Sequence, residues 1–519
     1  MITAARLLAA AALATSAAAV AGPPPVEAFF RNVEFDEVKL SPDGEFLAAI
    51  ARVEAAPDAR NLAVIDLDTR KPRVLTGYEE EDIRFFEWVG DERLLFKLDR
   101  DYDSTVEANE YLGTYSIMRD GSRGRVLHEP FSQDGRSLGR SSGAMGGIRE
   151  TVELMHRLPG DPRHVLVAKY DRRFMYPDAY SMDTDNGHMR KAATNERNSF
   201  TWYADNEGVV RAALDEGEDL GDLDYQLIYR ESAEAAWHPA LDYRFGELHV
   251  YGFDADNRHI WLAARTDRDT FALYKFDPES GGLGKPVFAD PDYDIYSSYS
   301  NAAGLVFDDD GTPIYLQYMT EQPKTLYFDE EWASRQATLD AALPDTVNTI
   351  VGWDRKYERF LVRSASDRVP GDYYLYDEGE AKVRFLLSAA DWLDANQMSR
   401  MRPVRFEARD GLEVHGYLTL PRDAGDEPVP LIVHPHGGPY GIRDEWGYDR
   451  EVQFLASLGY GVLQINYRGS GGYGTEFERM GYRRWGLEMQ DDISDGVRWA
   501  IEEGIADPER ICIYGASYG

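Results

Sequence analysis

A short unit recurs along this chain, in which a turn rich in Asp, Asn and Gly precedes a hydrophobic strand. The turns fall at residues 41–44, 90–91, 160–161, 205–206, 256–257, 309–311 and 354. Successive turns lie about 44 to 54 residues apart, except for one gap of about 70, and this period is typical of a four-stranded propeller blade. Several units contain a second turn about 20 to 25 residues later, which supplies the second hairpin that a blade needs. The repeat therefore predicts an all-β propeller of seven blades, with six or eight as the bounds, over residues 22–395.

A β-sandwich or an open solenoid would be the alternative architecture. Seven regular units without helices between them favour a closed ring. The one long gap contains residues 132–147, a stretch rich in Ser and Gly that indicates an inserted flexible loop.

Charge and cysteine content exclude several classes of function. The 519 residues include 56 Lys and Arg against 92 Asp and Glu, a net charge of -36 that would repel a nucleic-acid backbone. A single cysteine, Cys512, rules out a disulfide framework and a cysteine-based metal site, and its position between two isoleucines predicts a small buried core residue. No metal-ligand spacing is present, and the sequence predicts no cofactor.

The first 21 residues resemble a signal peptide. Arg6 is followed by a run of Leu and Ala and then by Ala19-Val20-Ala21, a small-residue cleavage site. We expect an exported protein, periplasmic or secreted, without a membrane-spanning helix after cleavage. A retained membrane anchor is the alternative.

The pattern changes at about residue 396. A hairpin at residues 404–418 is followed by apolar runs at 430–433, 460–465 and 511–514, with helical stretches at 449–458 and 489–503 between them. Buried strands that alternate with helices predict a parallel sheet covered by helices over residues 396–519.

The last of these strands leads directly into Gly515-Ala516-Ser517-Tyr518-Gly519, the G-x-S-x-G pattern. A serine on a sharp strand-to-helix turn adopts strained backbone angles, and the flanking glycines avoid clashes across that turn. In this strand context the pattern predicts that Ser517 is a nucleophile; an incidental turn is the alternative.

Two glycine-rich segments follow the other strands. His436-Gly437-Gly438-Pro439 lies where this type of fold places the backbone N–H donors that stabilise an oxyanion. Residues 466–474 lack the Gly-Lys-Ser/Thr ending of a phosphate-binding loop, so we interpret them as a rigid wall of the active site. Within them, Arg468 is predicted to be a buried ion-pair partner, with substrate binding as the alternative.

These three motifs behind a β-repeat resemble the prolyl oligopeptidase family of serine peptidases, and most closely its acylaminoacyl-peptidase and bacterial dipeptidyl-peptidase branch. The resemblance implies an N-terminal propeller that filters substrates by size and a C-terminal α/β-hydrolase domain. It implies that Ser517 is the nucleophile and that the backbone N–H groups of Tyr518 and Gly438 are the oxyanion donors. Peptides are then the expected substrates, with His436 and Gly437 beside them.

The chain departs from this family after the nucleophile. In the hydrolase order an Asp and a His follow the Ser, and neither follows Ser517 here. We therefore expect a fragment of a longer gene product, incomplete in its α/β-hydrolase domain, inactive by itself and with residues 511–514 as an unpaired apolar edge. His436 is the nearest alternative base, although its motif role is structural.

Glu79 and Glu80 are a lesser candidate site. Paired carboxylates suit the free amino terminus of a peptide, whereas a solvated acidic turn is the simpler interpretation.

The leading hypothesis is thus an exported serine exopeptidase or oligopeptidase. A carboxylesterase with the same catalytic elbow and a non-catalytic propeller that binds a partner are the alternatives. The sequence does not define residue preference or oligomeric state.

Overall fold

A computed structural model describes residues 23–100, 110–129, 150–170, 176–216 and 224–519. The predicted signal peptide and the predicted loop at residues 132–147 lie outside these residues. Among the helices that the structure describes, none has the length and apolar character needed to cross a bilayer.

The first described element is a short helix that precedes the propeller. Helix α1, Val26–Phe30, places Phe29 and Phe30 against Phe454, with ring centroids 5.7 and 5.4 Å apart. Trp392, which follows the last blade, donates its indole N–H to the carbonyl of Ala28. This helix therefore bridges the end of the propeller and the C-terminal part of the chain.

Seven antiparallel sheets form the propeller, as the repeat predicts. The first three blades are β1 Phe35–Leu40, β2 Phe46–Val53, β3 Ala56–Asp66 and β4 Pro72–Val74; β5 Asp82–Val89, β6 Arg93–Arg100, β7 Glu110–Met118 and β8 Arg125–His128; and β9 Thr151–His156, β10 His164–Tyr170, β11 Asp178–Asp183 and β12 Met189–Ala193. The next two are β13 Ser199–Ala204, β14 Val210–Glu216, β15 Asp224–Tyr229 and β16 His238–Arg244; and β17 Leu248–Phe253, β18 Ile260–Ala264, β19 Ala272–Phe276 and β20 Phe288–Ala289. All seven predicted turns occupy the same place, between the first and second strands of a blade.

The sixth blade differs from the prediction. It contains three strands in the described residues, β21 Gly304–Phe307, β22 Pro313–Met319 and β23 Pro323–Tyr327, and is followed by helix α2, Glu330–Ala342. The expectation of no helix between units is therefore wrong at this point. Asp329 caps α2 by accepting hydrogen bonds from the backbone N–H groups of Glu331 and Trp332, and the helix buries Trp332 and Leu339 between blades 6 and 7.

The seventh blade closes the ring. It is formed by β24 Val347–Trp353, β25 Arg359–Ala365, β26 Asp372–Asp377 and β27 Lys382–Ser388. Leu361 and Leu375 of this blade pack with Val38 and Leu40 of the first blade in one buried cluster. Side-chain burial, rather than a shared strand, therefore joins the two ends of the propeller.

Residues 401–519, the α/β domain, form a mixed sheet with helices. Its elements are β28 Met401–Glu407, β29 Glu413–Thr419, β30 Val429–Val433, α3 Arg450–Ser457, β31 Gly461–Asn466, α4 Thr475–Met480, α5 Glu488–Glu502 and β32 Ala506–Ile513. The strand order is β28-β29-β31-β30-β32, in which β30 runs parallel to both β31 and β32. The predicted hairpin and the three parallel strands are confirmed.

Cys512 does not occupy the predicted position in a buried core. It lies on β32, which pairs in the described sheet with β30 alone, and its side chain is exposed. The prediction for this residue was wrong because the apolar run 511–514 is at an edge of the sheet rather than in its interior.

Candidate active site

Ser517 lies immediately beyond β32, on a sharp turn. Its φ is 58°, in the left-handed region that non-glycine residues rarely adopt, and the residue is exposed. A Cβ on Gly515 would lie 2.6 Å from the carbonyl carbon of Gly519, and a Cβ on Gly519 would lie 2.0 Å from the carbonyl oxygen of Pro435. The two glycines of the G-x-S-x-G pattern therefore permit close approaches that any side chain would prevent.

The segment after β30 lies directly against this serine. A Cβ on Gly437 would be 3.3 Å from the Cβ and 3.9 Å from the Oγ of Ser517. Gly438 and Tyr518, whose N–H groups are the predicted oxyanion donors, are the next residues on the two sides of this contact, and Gly438 is exposed. The structure thus places residues 436–439 in contact with the G-x-S-x-G turn.

His436 is held by its own surroundings. Its Nδ1 is 2.7 Å from the carbonyl oxygen of Gly437, which can only accept, so Nδ1 carries the proton. Burial lowers the pKa of the ring to about 4, which makes it neutral, and Nε2 lies 2.9 Å from the Ser470 hydroxyl, whose single proton is shared with the Tyr467 carbonyl at 2.7 Å. Both ring nitrogens have partners within the protein, and among the described residues neither is hydrogen-bonded to Ser517; the place of His436 beside a substrate stays a prediction.

The two glycine-rich segments are joined to each other along their backbones. The N–H of Gly441 donates to the carbonyl of Gly469, and the N–H of Gly471 donates to the carbonyl of Ile442, each at 3.1 Å. A Cβ on Gly471 would lie 2.2 Å from the carbonyl oxygen of Gly441. Residues 466–474 therefore support the 436–443 segment, a role that the prediction of a rigid wall only partly describes.

Arg468 is an ion-pair partner, the first of the two predicted roles. Its Nε and Nη2 donate to the two carboxylate oxygens of Asp492 at 2.8 and 2.7 Å, and its Nη1 donates to Asp410 at 2.8 Å. The hydrogen bond to Asp492 raises the pKa of the guanidinium above its usual range. Because all three guanidinium nitrogens have partners and the residue is buried, this geometry does not support a substrate-binding role for Arg468.

Asp444 is a feature of the site that the sequence analysis missed. Its Oδ1 accepts from the side-chain amide of Gln464, while its Oδ2 is inaccessible to solvent and has no partner in the part of the chain that the structure describes. Burial raises the pKa of this carboxyl to about 7. Its backbone N–H and carbonyl both pair with the Asn466 side chain, at 2.8 and 3.0 Å, so Asp444 is a second connection between the two segments.

Glu79 and Glu80 lie in the connection between β4 and β5. Because successive antiparallel strands end on alternate sides of a propeller, this connection is on the side that faces the α/β domain. Both side chains are exposed, and neither has a hydrogen-bond or ion-pair partner among the described residues. The structure is compatible with a solvated turn and does not bring them to Ser517 through any described contact.

A cavity of about 160 Å³ lies between blades 5 and 6 and the α/β domain. Its lining includes Arg443 and Tyr251, and neither the buried Nη1 of Arg443 nor the Tyr251 hydroxyl has a partner among the described residues. The Nη2 of Arg443 donates to the carbonyls of Met319 and Thr320 in the propeller. Arg443 Nη1 can only donate a hydrogen bond, whereas the Tyr251 hydroxyl can donate or accept one.

Comparisons with known proteins agree with this arrangement. Residues 446–519 match the sequence model of the prolyl oligopeptidase family. The chain is 28% identical over 507 residues to dipeptidyl aminopeptidase BIII of Pseudoxanthomonas mexicana, which covers 95% of this chain and 68% of that protein. It is 26% identical over 525 residues to dipeptidyl peptidase family member 6 of Caenorhabditis elegans, with 95% and 67% covered.

The fold of the whole chain is also similar to that of a solved structure. The crystal structure of puromycin hydrolase aligns with a TM-score of 0.63 and 17% sequence identity, over 96% of this chain and 77% of that one. At that identity the likeness concerns the fold alone, a propeller followed by an α/β-hydrolase domain. The resemblance predicted from the sequence motifs is confirmed: residues 446–519 match the prolyl oligopeptidase family, and the similarity to two peptidases extends over 95% of this chain.

Proposed function

We propose that this protein is an exported serine peptidase that cleaves short peptides, as an exopeptidase of the dipeptidyl or acylaminoacyl type. The observation that carries the proposal is the position of Ser517, which is exposed on a strained turn with the backbone of Gly437 against its side chain. The names of two relatives that align over 95% of this chain, both dipeptidyl peptidases, support the substrate class.

The chemistry would proceed through an acyl-enzyme. The Oγ of Ser517 attacks the carbonyl carbon of the scissile bond, and the backbone N–H groups of Gly438 and Tyr518 donate to the resulting oxyanion. Collapse of this intermediate releases the amine, which takes up a proton, and leaves an ester on Ser517. Water then cleaves that ester and restores the serine.

This reaction needs a base that takes the proton from Ser517. The α/β domain contains His415, His434 and His436, and none of their rings hydrogen-bonds to Ser517 in the residues that the structure describes. The proposal therefore assigns the base to a histidine other than these three. We expect residues 1–519, expressed by themselves, to hydrolyse peptides no faster than the same chain with Ser517→Ala, because a serine without a base is a weak nucleophile.

The test uses the protein expressed from its complete gene. A fluorophosphonate probe should label the wild type and the control Ser494→Ala, which removes an exposed hydroxyl on α5, and should not label Ser517→Ala. Cleavage is then compared among dipeptidyl, N-acetyl-aminoacyl and single aminoacyl arylamides and a simple aryl ester. Faster turnover of the ester than of every arylamide would identify a carboxylesterase instead, and no labelling at Ser517 would identify a non-catalytic protein.

Export is a separate part of the proposal and rests on residues 1–21. Expressed in a bacterium with two membranes, the protein should be recovered from the periplasm or the medium with Gly22 as its first residue. Recovery from the cytoplasm with residues 1–21 retained would contradict this part and leave the catalytic part unaffected.

A further inference from the structure

The propeller holds one short segment of the α/β domain, residues 472–476, by five hydrogen bonds. The backbone N–H of Asp294 donates to the carbonyl of Gly472 at 3.0 Å, and the Asp294 Oδ2 accepts from the N–H of Gly474 at 3.2 Å. The carbonyl of Asp269 accepts from the N–H and the hydroxyl of Thr475 at 3.0 and 3.1 Å. The Asp269 Oδ1 accepts from the N–H of Glu476 at 2.6 Å.

These bonds replace a cap that the segment cannot make for itself. Helix α4 begins after Gly474, which has no side chain to accept hydrogen bonds from the first-turn amides. Asp269, from the turn between β18 and β19, supplies that acceptor from the other domain. A Cβ on Gly474 would lie 2.3 Å from the Asp269 Oδ2, so the glycine is also what permits the carboxylate to approach.

The same segment is continuous with the loop that supports residues 436–441, the oxyanion segment. Ser470, two residues before Gly472, is fully buried and bonds to the Nε2 of His436. Near that contact, the backbone N–H groups of Gly441 and Gly471 donate the hydrogen bonds that join the two glycine-rich segments. Gly437, which follows His436, lies against Ser517. A continuous path of named contacts therefore runs from two propeller carboxylates to the side of the nucleophile.

We propose that Asp269 and Asp294 are positioning residues for the oxyanion segment, so that docking of the propeller and ordering of residues 436–441 are one coupled event. The inference rests on the proposed function for what that segment does, although the coupling itself is a property of the structure. This role requires no contact between either carboxylate and the substrate, because each acts through residues 472–476. When these hydrogen bonds break, residues 466–474 are no longer held to the propeller. Residues 436–441 beside Ser517 then lose the loop that supports them.

Asp269 provides the sharper test because it is exposed, so its replacement leaves the propeller core intact. Asp269→Ala removes the side-chain acceptor, whereas Asp269→Asn retains an oxygen that can accept from Glu476. Glu321→Ala is the matched control, because Glu321 also joins the two domains, through a 2.6 Å ion pair with Arg405, but it does so on strand β28 and not on residues 472–476. All variants are made in the protein expressed from its complete gene.

Two measurements distinguish the coupling from the proposed function. Hydrogen exchange should become faster at residues 474–476 and also at 437–441 in Asp269→Ala, and at neither place in Asp269→Asn or Glu321→Ala. The rate of fluorophosphonate labelling and kcat for an arylamide should fall on the order of tenfold in Asp269→Ala with KM little changed, since loss of a cap of this kind is worth about a factor of ten.

Faster exchange at 474–476 with unchanged exchange at 437–441 would overturn the inference, as would equal losses of kcat in Asp269→Ala and Glu321→Ala. If the wild type is neither labelled nor active, the proposed function fails, and the exchange result still decides whether the two segments are coupled.

Discussion

Asp444→Asn should change how stability depends on pH. The folded protein holds the proton of this carboxyl up to a pKa of about 7, because the group is buried and accepts a single side-chain hydrogen bond, from Gln464. In the unfolded chain the same carboxyl loses its proton near pH 4. Between these values the unfolded state binds fewer protons, so the free energy of unfolding falls as the pH rises. Three pKa units at 1.36 kcal/mol each give a loss of about 4 kcal/mol, which the amide does not incur.

The measurement is the difference in urea unfolding midpoint between Asp444→Asn and wild type at pH 5, 6, 7 and 8. The other carboxylates of this acidic chain contribute to both proteins and cancel in the difference. We expect the midpoint of the variant to rise relative to that of the wild type from pH 5 towards pH 7, and the difference to level off above pH 7. Asp426→Asn, which removes an exposed carboxyl of the same domain, should show no such trend.

A constant difference between pH 5 and pH 8 would refute this reasoning. It would mean that Asp444 is ionised in the folded protein throughout the range, and so that its Oδ2 has a partner or a water molecule that compensates the burial.

Three further substitutions test other parts of the structure. Arg468→Ala should lower the free energy of unfolding by about 3–5 kcal/mol, because it leaves Asp492 buried without its partner, whereas Arg422→Ala, at an exposed pair that solvent screens, should leave the urea unfolding midpoint nearly unchanged. Gly471→Ala should abolish labelling of Ser517, since its Cβ would lie 2.2 Å from the Gly441 oxygen, while Gly411→Ala, at a φ of +89° with open space around it, should retain labelling. Trp332→Ala should cost about 3–5 kcal/mol in thermal unfolding through loss of its packing against Trp353 and Phe360, whereas the exposed Val351→Ala should be nearly neutral.

The propeller could be predicted because its signals are local. Each blade repeats an Asp, Asn or Gly turn between its first two strands, and turn chemistry depends on a few adjacent residues. Helix α2 escaped prediction because it buries only Trp332, Arg335 and Leu339 on its inner side, too few for a clear helical period. What holds α2 in place is the cluster between blades 6 and 7, whose members are distant in sequence.

The candidate site likewise contains features that local sequence patterns predict and features that depend on residues distant in sequence. Ser517 and the 436–439 segment follow from motifs whose spacing is local, and the structure brings them into contact. The bond between His436 and Ser470 joins residues 34 apart, and that between Gly474 and Asp294 joins residues 180 apart. No pattern of neighbouring residues indicates such pairs, so the support of the site could be known only from the folded chain.

The glycines of residues 466–474 show why composition alone misleads at this site. In the sequence they could suggest a loop that cradles a ligand. In the structure a Cβ would lie 2.2 Å from the Gly441 oxygen at Gly471, 3.0 Å from the Arg443 side chain at Gly472, and 2.3 Å from the Asp269 carboxylate at Gly474. These three neighbours belong to the oxyanion segment, the domain interface and the propeller. These glycines therefore lie where three parts of the protein meet one loop, and an alanine at any of them would crowd the contact with one of these parts.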